Sequence, residues 1–202
     1  MHQNKTRSST HLRRKLKLAL LPLAFPLVAM AADQNASTDH SDHGDRYQQK
    51  APAPLIEKVR KATWMFRDIE AAGKAQYVQG TPCVSGPTSG AMGVHFINMK
   101  FLGDGVLNAS EPEALIYEPL SDGTFRLVGV EYIVLKTDWE THNPDAGTPS
   151  LEGNLLNFVG EPNRYGLGAF YEMHVWAWEH NPAGSYADFN SRVTCTKQPL
   201  EQ

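Results

Sequence analysis

Two cysteines in 202 residues are too few for a disulfide-dense miniprotein, and sixteen glycines without a fixed period exclude a collagen-like repeat. A 20% charged fraction beside 41% hydrophobic residues excludes a coiled coil and a fully disordered chain. Internal repeats and βαβ alternation are absent, and so are the compact ligand spacings HxH and HxxxH. Gly86–Gly93 is glycine-rich but lacks the Lys-Ser/Thr of a P-loop. Ser85, Ser89 and Ser110 stand in no nucleophile-elbow pattern. What remains is one globular domain of ordinary size, long enough to bury a real core.

The first 31 residues read as an export signal. Lys5, Arg7, Arg13, Arg14, Lys15 and Lys17 form a basic region before the apolar run Leu18–Val28, and Ala29-Met30-Ala31 supplies the small-x-small cleavage pattern. The apolar run is too short to span a bilayer and contains Pro22 and Pro26, so no membrane anchor is expected. Arg13-Arg14 fits a twin-arginine signal as well as an ordinary basic region. The expected location is periplasmic or secreted.

Six of the 19 basic residues and none of the 22 acidic ones lie in that signal. Residues 32–202 therefore carry 13 basic against 22 acidic residues, a net charge of −9. Such a balance disfavours nucleic acid and anionic membranes and suits a metal ion or a small molecule. The sequence is silent on oligomeric state. In an oxidising compartment Cys83 and Cys195 are expected to form a disulfide.

Residues 32–53 hold almost no large apolar side chain and read as a flexible leader, with 54–202 as the globular domain. Leu55, Val59, Ala62, Phe66 and Ile69 recur at helical spacing from Pro54 towards Gly73. They predict one amphipathic helix with Glu57, Arg60, Lys61, Arg67 and Glu70 on its outer face. Strands are predicted at 92–99, 114–118, 124–136 and 169–178, with a short last run at 192–195 and a hairpin turn at Ser121-Asp122-Gly123. Residues 137–168, rich in Pro, Gly and Asn, read as a long loop or lid. The fold class is α+β, with the helix packed on an antiparallel sheet that curls into a small barrel or sandwich.

Polar residues interrupt the apolar faces of these strands. Alternation groups Glu131 with Phe125, Leu127, Gly129, Ile133 and Leu135, and His95 with Gly93 and Ile97. It also groups Glu118 with Ala114 and Ile116, and Glu172 and His174 with Phe170, Trp176 and Trp178. An isolated ionised carboxylate there costs several kcal/mol unless it is paired, neutralised or bound to a metal. If these faces converge, His95, Glu131 and His174 make a two-histidine, one-carboxylate set, with Glu118 or Glu172 in reserve. That set suits one divalent transition metal: Fe, Mn, Zn or Cu. Phe170, Trp176 and Trp178 would wall the site. The competing reading is a non-catalytic binding or structural protein. Its aromatic cleft (Phe170, Tyr171, Trp176 and Trp178) takes the ligand, and the buried His and Glu form a hydrogen-bonded network with partners such as Arg126, Arg164 and Arg192.

The strings CVSGPTSGAMGVHFIN (83–98), PEALIYEP (112–119), LVGVEYIV (127–134) and FYEMHVWAWEHNPAGSYADFN (170–190) resemble an uncharacterised family of exported bacterial proteins. The resemblance implies export and one compact domain, and transfers no catalytic residue. A looser likeness is to cupins, β-barrel proteins that hold a metal with His and Glu from several strands. His95 has no second His two residues on, and Pro182-Ala183-Gly184 is not followed by His at the step that pattern needs.

Overall fold

A computed structural model of the chain describes residues 53–197. The expected signal (1–31) and nearly all of the expected leader (32–53) lie outside the described residues. The helical elements are α1 (Pro54–Thr63), a 3-10 turn (Trp64–Arg67), α2 (Ile69–Lys74), α3 (Met99–Leu102) and α4 (Lys136–His142). The strands are β1 (Val78–Gln79), β2 (Val84–Ser85), β3 (Ala91–Ile97), β4 (Ala114–Pro119) and β5 (Phe125–Leu135). They continue with β6 (Ser150–Leu151), β7 (Asn154–Leu155), β8 (Asn157–Val159) and β9 (Phe170–Val175).

The α+β class holds: helices accompany an antiparallel sheet of order β1-β3-β4-β5-β9-β8, with β2 also paired to β3. The sheet does not close into the expected barrel, because β1 and β8 are the two ends of this path and do not pair. The one predicted helix is two. Asp68 adopts extended backbone, ends the first helical stretch, and caps α2 by accepting the Glu70 N–H at 2.9 Å. The 137–168 segment is more ordered than its composition predicts. It contains all of α4 but Lys136, the β6–β7 hairpin and the edge strand β8. At 192–195 no strand forms. An Ala91–Asn190 bridge, a Thr194 N–H donated to Glu118 and the disulfide hold this segment instead.

One irregularity sorts the side chains. Ile116 pairs with Gly129 but Tyr117 pairs with Leu127, so Val128 is an extra residue on β5 and forms a bulge. The bulge reverses the alternation. Phe125 and Leu127 join Val130, Tyr132 and Val134 in the cluster that packs on Leu55, Ile56 and Val59 of α1. Val128 and Ile133 belong to clusters with Trp176 and with Phe170. The predicted grouping of Glu131 with Phe125 and Leu127 is corrected: the bulge separates them. A side chain at Gly129 would meet the Val175 carbonyl at 2.8 Å, so this close approach of β9 requires glycine. Gly93, at φ +104, lets β3 run against the Tyr117 carbonyl, which a Cβ would meet at 2.6 Å.

The sheet thus has a face covered by helices and a face covered by the 160–169 and 185–195 loops and the 80–85 segment. The Cys83–Cys195 disulfide is formed, with Cα atoms 5.5 Å apart, and ties two of those covering segments together.

Candidate metal centre

The loop-covered face brings the predicted trio together. Glu131 on β5 pairs directly across from His174 on β9, while Ala114 on β4 faces Glu131 from the other side. That small residue leaves room for His95 on β3 to reach over β4, so that His95 Nε2 stands 3.3 Å from Glu131 Oε2. His95, Glu131 and His174 each offer a ligand atom, all within 4.8 Å of one another, and all three residues are buried. The two imidazoles meet edge to face at 5.8 Å.

Each histidine is oriented through its other nitrogen. His174 Nδ1 lies 2.9 Å from Glu172 Oε2, and Trp176 stacks on the ring at 6.3 Å. His95 Nδ1 lies 3.2 Å from the Thr81 hydroxyl, which also accepts the His95 backbone N–H at 3.1 Å. Thr81 reaches this position because β1 pairs with residues 96–97 and β2 with residues 91–93 along the same edge of β3. The intervening turn falls opposite His95. Sequence reasoning missed Thr81, since no periodicity marks a turn residue that completes a strand edge.

Among the described residues, two buried side-chain polar atoms lack a hydrogen-bond partner: Glu113 Oε1 and His174 Nε2. A buried donor or acceptor left unpaired costs about 1–3 kcal/mol, so the orphaned His174 Nε2 calls for an explanation. Burial pushes His95 down to about 3, and the neighbouring His174 adds to the effect. Burial likewise lifts Glu131 to about 7; His174 opposes this and Glu172 reinforces it. For His174 burial disfavours the cation, but the Glu131 charge and the Glu172 hydrogen bond outweigh it and hold the ring up at about 9. Asp188 forms a second close group with Glu172 and His174 and adds negative charge.

The reserve carboxylates have other roles. Glu118 accepts from Arg126 at 2.6 Å and from the Thr194 N–H at 3.1 Å, which fastens the C-terminal segment away from the trio. Glu172 orients His174 and accepts from Asn157 at 3.4 Å. The expected aromatic cleft is not assembled. Phe170 lines a cavity, whereas Trp176 packs with Val128 and donates to the Ala187 carbonyl. Trp178 lies on the helix-covered side, donating to Thr63 Oγ1, because the Val128 carbonyl accepts both the Trp178 and Glu179 N–H groups and turns the chain after β9. Tyr171 packs against Phe158.

A cavity of about 400 Å³ opens beside the trio, with His95 and Glu131 in its lining among mostly apolar side chains. No helix of the described residues is long and apolar enough to cross a membrane. In comparisons with known proteins, no family model, curated protein or solved structure matches this chain.

Proposed function

We propose that this is an exported protein that holds one divalent transition metal, Fe, Mn, Zn or Cu, through His95, Glu131 and His174, with the ion's remaining positions turned to the cavity. The observation that carries this reading is His174. Its Nδ1 is fixed on a buried carboxylate while its Nε2, fully enclosed beside Glu131 and His95, has no partner. Carboxylate–histidine orientation of this kind is the usual outer-shell support of a metal ligand. Two ligands of one tetrahedral ion at bonds of about 2.0–2.1 Å stand about 3.3–3.4 Å apart, which agrees with the 3.3 Å between His95 and Glu131.

Charge supports the same conclusion. Glu131, Glu172 and Asp188 surround a neutral His95 and one His174. Glu131 and Glu172 are buried there with Asp188 at their edge, and a group of carboxylates so placed favours a cation beside it. The disulfide is compatible with an oxidising compartment. If the protein is an enzyme, an ion held there by His95, Glu131 and His174 would supply Lewis-acid or redox chemistry to a small molecule in the cavity.

Elemental analysis tests the proposal, using protein purified from its producing cells without chelator or histidine tag. About one equivalent of a transition metal is expected in the wild type, lost in His95→Ala and His174→Ala. A metal-free wild type that takes up none on titration overturns it. The histidines and glutamates would then be a hydrogen-bonded core network.

A further inference from the structure

The lining of the cavity beside the trio includes a charged side chain, Arg164, that the proposed metal site does not use. Its lining includes the apolar Ile97, Leu102, Ile133 and Phe170 together with His95, Glu131 and Arg164. Arg164 is exposed and forms no ion pair among the described residues, whereas Arg126 and Arg192 both approach Glu179. Two large apolar side chains that stand out in solvent, Val78 at 57% and Met99 at 64% exposure, line this same cavity.

We infer that the cavity takes a small monocarboxylate with an apolar tail or ring, its carboxylate paired with Arg164 and its apolar part against Ile97, Ile133 and Phe170. This inference goes beyond the metal-site reading and stands on the cavity lining itself, which also borders His95 and Glu131. Guanidinium matches carboxylate geometry with two parallel hydrogen bonds, and an apolar tail gains by leaving water for apolar walls. A cationic ligand would meet Arg164 with like charge. The chain's excess of acidic residues opposes non-specific uptake of anions, so saturable carboxylate binding reports a defined site.

Octanoate, octanol and octylamine share one tail and differ in charge. Their binding to the purified protein is to be measured by calorimetry, with and without saturating zinc, in the wild type, Arg164→Gln and Arg164→Lys. One equivalent of octanoate is expected to bind with or without zinc, roughly three- to tenfold tighter than octanol. Arg164→Gln removes that preference and Arg164→Lys restores part of it. Equal binding of octanoate and octanol, no binding of either, or a preference that survives Arg164→Gln overturns the inference. Octanoate binding that requires zinc and ignores Arg164 also overturns it, while leaving the metal site standing. Arg164-dependent binding by a protein that takes up no zinc upholds the ligand class and overturns the metal site.

Discussion

On the helix-covered face of the sheet, Tyr77, Tyr117 and Tyr132 each donate a hydroxyl to a main-chain carbonyl, of Pro112, Phe66 and Ala109, at 2.6–2.7 Å. On the loop-covered face, His95, Glu131, Glu172 and His174 are arranged chiefly around one another, and one ring nitrogen has no partner. The first pattern is complete in itself: neutral donors find fixed acceptors, and burial pushes all three phenols up, out of reach of ionisation. The second leaves one buried ring nitrogen unpartnered beside a close group of carboxylates, the arrangement on which the proposed metal site rests. Their coverings differ too. Helix α1 packs on the first face through Leu55, Ile56 and Val59, whereas loops cover the second and two of them are joined by the disulfide. Glu113 lies between these cases. Burial raises it to about 8 although the Ile133 N–H, donated to Oε2, opposes the rise. A proton, not a metal, settles its charge near neutral pH.

The largest expected effect comes from removing the tie across the loop-covered face. Cysteines 112 residues apart close a loop for which chain entropy predicts roughly 4–5 kcal/mol. Cys83→Ser should lower the melting temperature by many degrees and weaken metal retention, since Cys83 follows the turn that sets Thr81 on His95. A melting temperature indifferent to both mutation and reductant would show that packing alone holds this face. Next, Glu172→Gln should weaken metal binding by about 10–100-fold without comparable loss of stability, as removal of an outer-shell carboxylate does. An unchanged affinity, read by competition with a chelator, would reduce Glu172 to a core hydrogen bond.

A smaller effect is expected from pH. With His174 held at about 9 and Glu131 at about 7, metal binding at neutral pH must displace the His174 proton. Affinity should therefore rise towards pH 9, by about tenfold per pH unit once Glu131 is ionised and more steeply below that, with at least about one proton released on binding near pH 7. Calorimetry in buffers of different ionisation enthalpy reads that proton directly; no release at pH 7 would contradict a cationic His174. The smallest effect concerns Glu113. Unfolded, its carboxyl ionises near 4.5, and folded only near 8, so the folded state holds the extra proton between those values. Its contribution is full below about 4.5 and is lost as the pH rises to 8. The fall in melting temperature from pH 5 to 8 should be shallower in Glu113→Gln. Identical slopes would remove Glu113 from the account.

Much of this was legible in the chain because it depends on local chemistry. Alternating apolar residues around 92–99, 124–136 and 169–178 mark β3, β5 and β9, and an isolated His or Glu within each marks the residues that meet. The register was not legible. The bulge at Val128 leaves no signature in a run of β-branched residues, yet it decides that Glu131 lies away from Phe125 and Leu127 and that Trp178 turns to the helices. The break at Asp68 was hidden because Phe66 and Ile69 keep helical spacing across it. Thr81 and Asp188 act through loops, where side-chain placement depends on long-range pairing and not on period. Glu118 looked like a ligand until the fold placed Arg126 and the Thr194 N–H on it.

The central claim is that the two faces differ because one is built around an ion, and cobalt titration at pH 8 tests it most directly. The account predicts visible absorption that saturates at one equivalent of Co(II). It should survive in Tyr132→Phe, which alters only the helix-covered face, and vanish in His174→Ala. No cobalt absorption in the wild type, or an undiminished spectrum in His174→Ala, would contradict it.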